Sequence, residues 1–333
     1  MTQSVGITAA RTNAAFGDLR DRTRIELTGA DAVKFLNNLV TNDIARLAPG
    51  TGCECFLCNA KGGMVDYVRA YRAEDRLWLD AAPGRADSLL KHLDRYLIRE
   101  KVVLRNLHGD IGAIAILGPN AESVLTELGL AIPPAAPHSF CAGTYSGSPV
   151  TAVRSALYSA SGFELLAAPT AVEGLHAALA ARNVAALVPD DLHRLRVVAG
   201  VPEFGVDLVE GNIPQEADRA AATISFTKGC YIGQETVARL DAYGHVNKIL
   251  RGVVFPPHAK LATGQSLWFN QKEVGKLGSV AASLEGDATL ALAVLRTAAA
   301  TPGTEIFTGE TPETGPGVPG RVVHLPFTPP AGT

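Results

Sequence analysis

Phe226-Thr227-Lys228-Gly229-Cys230-Tyr231-Ile232-Gly233-Gln234-Glu235-Thr236 is the stretch on which the reading of this chain turns. A helix-like run from Glu235 to Ala242 follows it at once. A thiol just ahead of a helix N-terminus lies near positive partial charge, and Lys228 is close by in sequence; both favour the thiolate. Gly229 and Gly233 permit a turn that a residue with a Cβ would resist. The same residues also read as a Gly-rich turn whose cysteine is a small buried hydrophobe. Local chemistry leaves both readings open.

Upstream, Arg24-Ile25-Glu26-Leu27-Thr28 alternates like a strand, and Asp31 caps a helix that carries Val33, Leu36, Val40, Ile44 and Leu47 on one face. Strand-like runs at 52–58 and 64–71 flank a hairpin loop, Asn59-Ala60-Lys61-Gly62-Gly63. A strand at 76–80, a helix opened by Pro83 with Leu89, Leu90, Leu93 and Leu97 on its apolar face, and a strand at 100–107 complete a β-α-β-β-β-α-β unit. A second unit of similar grammar follows: a strand at 111–117, a helix at 120–128, strands at 149–157 and 162–167, and a helix at 170–182. Such an order predicts largely antiparallel sheets with helices packed against them. Pro189 to Val198 reads as a further helix, containing Arg194 and Arg196. From Asn247 onward, short runs separated by Pro and Gly predict a small β-barrel or sandwich.

With 333 residues, 47% of them hydrophobic, the chain is long and apolar enough for two or three domains with large cores. Lys plus Arg number 30 against 33 Asp plus Glu, so there is no global basic footprint and no direct binding of nucleic acid is expected. No apolar run approaches the roughly 20 residues of a membrane helix. Met1-Thr2-Gln3-Ser4 has no basic n-region, which argues against a secretory signal and for a cytoplasmic protein. Five cysteines, an odd count, do not suggest a disulfide framework. Cys53, Cys55 and Cys58 cluster, but no fourth ligand stands at metal-site spacing, and strand alternation puts Cys58 on the face opposite the other two. No metal site is expected there.

Lys228 to Glu235 resembles the signature K-G-C-[FY]-x-G-Q-E of the YgfZ family of folate-binding proteins, which are related to the aminomethyltransferase (T-protein, GcvT) of the glycine cleavage system. The likeness extends over roughly 20–327 through Leu27-Thr28-Gly29-Ala30-Asp31-Ala32, Gly162-Phe163-Glu164, Ala199-Gly200-Val201-Pro202-Glu203-Phe204-Gly205 and Asn212-Ile213-Pro214-Gln215-Glu216. The resemblance implies an α+β fold: a ring of three domains around a central channel, two antiparallel-sheet α+β units and a C-terminal β-barrel. It implies a folate-binding domain at 1–48 and 108–245, an inserted domain at 49–107, and the barrel at 246–333.

A carboxylate accepts two hydrogen bonds from an amino-pyrimidine edge such as a pterin presents, and an arginine offers a planar permanent cation. The resemblance assigns these parts to Glu164 and to Arg196, with Arg194 as the alternative, and adds Tyr231 to the folate contacts. Cys230 is the expected functional thiol, Lys228 its neighbouring cation, and Asp66 the aspartate of the strand that reads G-G-x-x-D-D in the aminomethyltransferases. Here that pair is Asp66-Tyr67, so one carboxylate is missing. Asn212 to Glu216 is a candidate for orienting Tyr231 or the folate. His245, in the run after Arg239, is a candidate base for Cys230. The implied cofactor is tetrahydrofolate or another reduced folate, and the implied partners are Fe–S enzymes or Fe–S assembly proteins. The implied function is assembly or repair of Fe–S clusters, with tRNA modification affected indirectly. A tetrahydrofolate-dependent aminomethyltransferase and a non-catalytic scaffold are the competing readings.

Overall fold

The computed structural model describes residues 4–243, 246–309 and 317–327. Its first antiparallel sheet holds β2 (Thr23–Thr28), β3 (Thr51–Cys58), β4 (Met64–Arg72), β5 (Arg76–Ala81) and β6 (Val103–Asn106) in the order β3-β4-β5-β2-β6. Alternation along these strands splits the sheet into two faces. Ile25, Leu27, Cys55, Leu57, Val68, Ala70 and Leu79 pack under α2 (Ala32–Asn37) and α3 (Ala86–Asp94), which contribute Leu36, Leu89 and Leu93. The opposite face carries Arg24, Glu54, Arg69, Tyr71, Trp78 and Asp80, all buried. The predicted helix after Asp31 ends at Asn37, and Val40 and Ile44 complete its apolar face from irregular chain.

The second sheet holds β1 (Ala15–Asp18), β7 (Gly112–Leu117), β8 (Phe140–Tyr145), β9 (Ser148–Arg154), β10 (Gly162–Ala167) and β11 (Ala185–Leu187), ordered β11-β1-β7-β10-β9-β8. Only β1 and β11 pair in parallel. α4 (Ala121–Glu127) and α5 (Pro169–Ala181) cover one face over Ile114, Ile116, Phe163 and Leu165. Against the other face lie α1 (Val5–Thr12) and α6 (Pro189–Val198).

The chain leaves this second sheet after β1, builds the whole first sheet, and returns as β7 beside β1. By strand pairing the insert therefore starts before Thr23 and not at 49: β2, expected in the outer unit, pairs with β5 and β6. The pattern of β and α runs had grouped β2 correctly, because a strand and the helix that covers it share one apolar face. The boundary at 49 came from the resemblance alone.

β12 (Lys248–Phe255), β13 (Ser266–Phe269), β14 (Lys272–Ala282), β15 (Thr289–Arg296), β16 (Glu305–Thr308) and β17 (Pro319–Val323) close a barrel in the order β12-β15-β14-β13-β16-β17. Val253, Leu267, Leu277, Leu295, Ile306 and Val322 fill it. A short α7 (Ala220–Thr223) and α8 (Gln234–Tyr243) precede it. The three bodies touch pairwise. Glu164 of the second sheet reaches Arg69 of the first. Leu195 of α6 shares a core with Leu250 and Leu292 of the barrel. Val294 of the barrel packs on the Phe56–Tyr67–Phe204 cluster of the first sheet. The predicted α+β architecture with a C-terminal barrel is the observed one. No described helix is long and apolar enough to cross a membrane.

Candidate functional site

On the buried face of the first sheet, cross-strand register lines up Glu54, Arg69, Asp80 and Arg24 in one row over β3, β4, β5 and β2. The signs alternate, and opposite charges facing each other across strands stabilise a sheet. Arg69 donates from Nη2 to Asp80 Oδ1 at 2.7 Å, and Arg22 donates from Nε to the same oxygen at 2.6 Å. Glu164, projecting from β10, caps the row: Arg69 Nη1 reaches its Oε1 at 2.6 Å, Arg69 Nη2 its Oε2 at 3.2 Å, and Ser155 Oγ its Oε1 at 3.0 Å. Burial pushes the Glu164 carboxyl up, but the Arg69 charge and hydrogen bonds, with Arg22, more than reverse this and hold it below the ordinary carboxylate range. Asp80 is held low against the same burial by Arg22, Arg69 and Arg24. Among the described residues, Arg24 Nη2 and Arg69 Nε are buried with no hydrogen-bond partner.

Arg196 enters from α6. Its Nη1 donates to Val201 O at 2.8 Å and to Asp207 Oδ2 at 3.2 Å, and its Nη2 donates to Ser279 Oγ of β14 at 2.8 Å. A cavity of about 20 Å³ lies between Arg196, Glu203 and Phe204 on one side and Arg22, Arg69 and Asp80 on the other. That is room for about one water molecule. Arg194, two residues before Arg196 on the same helix, instead donates to Ala282 O and Ser283 O of the barrel. Of the two arginine candidates, Arg196 is the one at the junction cavity.

The cysteine segment docks on the first sheet. Lys228 is buried, and its Nζ donates to the carbonyls of Asn37, Val40 and Asn42 at 2.5, 2.8 and 2.7 Å, with the Tyr231 ring 5.1 Å away. Its three N–H bonds are thus taken by backbone, and the thiols that share its electrostatic surroundings are Cys55 and Cys53. Ile232 N donates to Asn38 O at 3.0 Å. Gly233 has φ +82°, and a Cβ there would stand 2.6 Å from Asn59 O; Gly62 has φ +80°, and its Cβ would meet Thr236 Cβ at 2.6 Å. The predicted hairpin loop and the cysteine segment therefore interlock glycine to glycine. Cys230 itself is exposed. Tyr231 is buried beside Cys58, a member of the cluster with Tyr67 and Phe204 that reaches the junction cavity.

Asp66 is fully buried, but on the helix side of β4: Oδ2 accepts from Arg85 Nε at 2.8 Å and Oδ1 from Tyr67 N at 2.9 Å. Burial raises its pKa, and Arg85 offsets only part of this. It does not line the junction cavity; its neighbour Tyr67 does. Asn212 donates to Glu216 Oε2 at 2.6 Å, Asn212 O accepts from Met64 N at 2.6 Å, and Gln215 Nε2 donates to Val237 O of α8 at 2.7 Å. This loop fastens β4 to α8 and makes no contact with Tyr231 in these bonds. Cys53 and Cys55 lie on the helix face and Cys58 on the other, as alternation required. Burial pushes Cys58 up to about 12. Arg239 is exposed on α8, whereas Gly244 and His245 lie outside the described residues.

Sequence reasoning missed Arg22, Arg24, Arg69 and Asp80, and a second buried group in which Glu54 accepts from Tyr67 Oη and from Arg219 Nη2 at 2.7 Å, with His138 Nε2 at 3.4 Å. The available signal was charge at alternate positions of otherwise apolar strands. Polar groups on a strand face read as solvent-facing unless a second sheet covers them, and nothing local announces the cover.

Residues 4–228 match the family described as the GCVT N-terminal domain. A chloroplastic protein of Arabidopsis thaliana named as a transferase is 26% identical over 301 residues, covering 88% of this chain and 68% of the relative. An aminomethyltransferase of Streptomyces avermitilis is 27% identical over 332 residues, covering 96% of this chain and 86% of the relative. The crystal structure of the glycine cleavage system aminomethyltransferase T from Bartonella henselae superposes with a TM-score of 0.86 at 22% identity, over 98% of this chain and 89% of that one, and so shares its fold. A match that runs through both sheets, α6 and up to Lys228 of the cysteine segment places this chain in the GCVT N-terminal domain family.

Proposed function

We propose that this chain is a reduced-folate-binding protein of the YgfZ type that serves assembly or repair of Fe–S clusters in a subset of enzymes. The observation that carries the folate part is Glu164: a buried carboxylate at the three-body junction, in a field of arginines of which Arg24 Nη2 and Arg69 Nε lack partners. A pterin presents an amino-pyrimidine edge to a carboxylate and a ring carbonyl to a guanidinium, so the donor set suits it. The aminomethyltransferase names of the relatives point to the same class of cofactor. The cavity of about 20 Å³ is too small for a pterin as it stands. Binding therefore requires Arg69 to release Glu164, and Asp80 remains to hold the Arg69 guanidinium when it does. A reduced folate brings nitrogen atoms able to carry a one-carbon unit. The protein's own groups recognise it, orient it and exclude water.

The Fe–S part rests on the Lys228–Glu235 motif and on the exposed thiol of Cys230 within it. Aminomethyl transfer, the alternative suggested by the relatives' names, calls on Asp66, which is bonded to Arg85 away from the cavity and has Tyr67 where a second carboxylate is expected. Calorimetric titration with 5-formyltetrahydrofolate tests the folate site. Glu164→Gln, shown to be folded, should weaken binding at least tenfold, about 1.4 kcal/mol. Unchanged affinity removes Glu164 from the site. Cys230→Ser should keep wild-type melting temperature and folate affinity while failing to restore Fe–S enzyme activity in cells lacking the protein; full restoration sinks the thiol's role. Robust turnover in glycine cleavage reconstitution would favour the alternative.

A further inference from the structure

A groove of about 370 Å³ opens beside the cysteine segment. Phe35, Leu39, Tyr96 and Ile232 make its apolar lining, and Asp31, Lys34, Arg99 and Glu100 its charged one. Both carboxylates are tied to backbone. Asp31 Oδ2 accepts from Lys101 N at 2.7 Å, and Glu100 Oε2 accepts from Arg99 N at 2.9 Å and from Ile98 N at 3.0 Å. Those bonds to Glu100, with Lys34 as a smaller cause, hold its carboxyl below the ordinary range. Lys34 and Arg99 are exposed, and neither makes an ion pair or a side-chain hydrogen bond among the described residues. The acids are thus held by the protein's own donors, while the ammonium and the guanidinium are not bonded. Between Tyr96 and Arg99, Ile98 is 81% exposed, and Phe226 of the cysteine segment is 47% exposed. Large apolar groups left in solvent beside an apolar recess with a charged rim are the anatomy of a protein interface.

The groove and the Cys230 thiol are fixed to each other. Asn38 lines the groove, and its carbonyl accepts from Ile232 N at 3.0 Å. Lys228 Nζ is bonded to Asn37 O and Val40 O on either side of it. Cys230 is exposed and stands two residues before Ile232, so its backbone lies within about 7 Å of the groove wall. No residue of the groove lines the junction cavity. Resting on the reading of Cys230 above, we infer that this groove is the docking site of the partner protein on which the thiol acts, and that the partner presents an acidic segment with one apolar side chain as its anchor. The anchor enters between Phe35, Leu39, Tyr96 and Ile232, the acidic groups meet Lys34 and Arg99, and Ile98 is covered. Charges at the rim of an interface steer the encounter and make it salt-dependent.

Two measurements on the full chain test this. The first uses small aromatic disulfides as probes of the ground beside the thiol: the anionic dithiobis(nitrobenzoate) and the neutral dithiodipyridine. The Cys230 thiolate attacks one sulfur, a mixed disulfide forms, and the released thiol is read by absorbance, with Cys230→Ser as the blank. The ratio of anionic to neutral rate should fall by about threefold or more in the double variant Lys34→Gln, Arg99→Gln, and fall likewise in the natural chain as salt screens the charges. A ratio that the double variant leaves unchanged overturns the inference. The second is restoration of Fe–S enzyme activity in cells lacking the protein. The charge-reversed double variant Lys34→Glu, Arg99→Glu, with the natural melting temperature, should fail as Cys230→Ser fails. Full restoration by the charge-reversed variant, where Cys230→Ser fails, overturns this inference and leaves the thiol reading standing. Full restoration by Cys230→Ser removes the thiol reading, and this inference with it.

Discussion

Lys228 ends on three backbone carbonyls and not on a carboxylate, and this sets its behaviour. Burial pushes its ammonium down to about 8 from the ordinary 10.5. The folded chain therefore releases this proton before the unfolded chain does. Between those two values the unfolded state binds more protons, so the Lys228 contribution to stability rises with pH; below about 8 it is constant. Lys228→Met leaves three carbonyls without their donor, at about 1–3 kcal/mol for each that stays buried. The variant should be less stable than the natural chain by roughly 3 kcal/mol or more at pH 7. The gap should widen as pH climbs from 8 toward 10.5, measured by urea unfolding at several pH values. A gap that stays constant or narrows over that window would show that the ammonium is not the titrating group. Nothing in the sequence separated this anchoring part from the thiol-activating part, because the three carbonyls belong to residues 37–42, far away along the chain.

At the scale of elements, the Asn59–Gly63 hairpin loop and the turn into α8 hold each other through two glycines with positive φ. Gly62→Ala and Gly233→Ala each force a Cβ into the partner segment and strain the backbone, so each should destabilise by about 1–3 kcal/mol. Their combination should fall short of the sum by more than about 0.5 kcal/mol, since the first change already separates the segments. A double-mutant cycle measured by chemical denaturation checks this, and strict additivity would mean that the two turns act independently. Both turns were legible in the sequence, and so were most strands and helices, because each has a clear period and Gly or Pro at its ends. α1, β1, β8, β11, α7 and β16 were not. β11 has only three residues, β1 and β8 contain glycine, and β1 ends on Asp18, so too little pattern exists to detect. β1 and β11 form by pairing with strands far along the chain, β1 with β7 and β11, whereas β8 pairs with its hairpin neighbour β9. Of the candidate site, Glu164, Arg196 and the cysteine segment are proposed through the resemblance. Arg69 was not, because its meaning comes from Glu164 on a strand 95 residues away.

The whole molecule is held at its centre by charges that two sheets bury together. Glu54, Asp80 and Glu164 all lie below the ordinary carboxylate range despite burial, because Arg219 and His138, then Arg22, Arg69 and Arg24, face them. A carboxylate whose folded pKa is depressed contributes stability above its unfolded value, and that contribution is lost as pH falls through the folded value. Asp66, raised by burial, works in the opposite direction and offsets part of the effect. The natural chain should therefore lose stability steeply below about pH 4, where unfolded carboxylates begin to bind protons. Arg69→Met removes the one guanidinium shared by Asp80 and Glu164 and leaves both charges buried. Breaking such a pair costs about 3–5 kcal/mol at neutral pH. In that variant the two carboxyls return toward ordinary or higher values, so the acid loss is smaller and the gap to the natural chain should close as pH falls. Glu164→Gln, which keeps Arg69 bound to Asp80, should show the same closing gap from a smaller starting difference. Unfolding by urea from pH 7 down to pH 3 reads both variants. A gap for Arg69→Met that persists undiminished into acid would mean that packing between the sheets, and not the charge row, joins the two bodies.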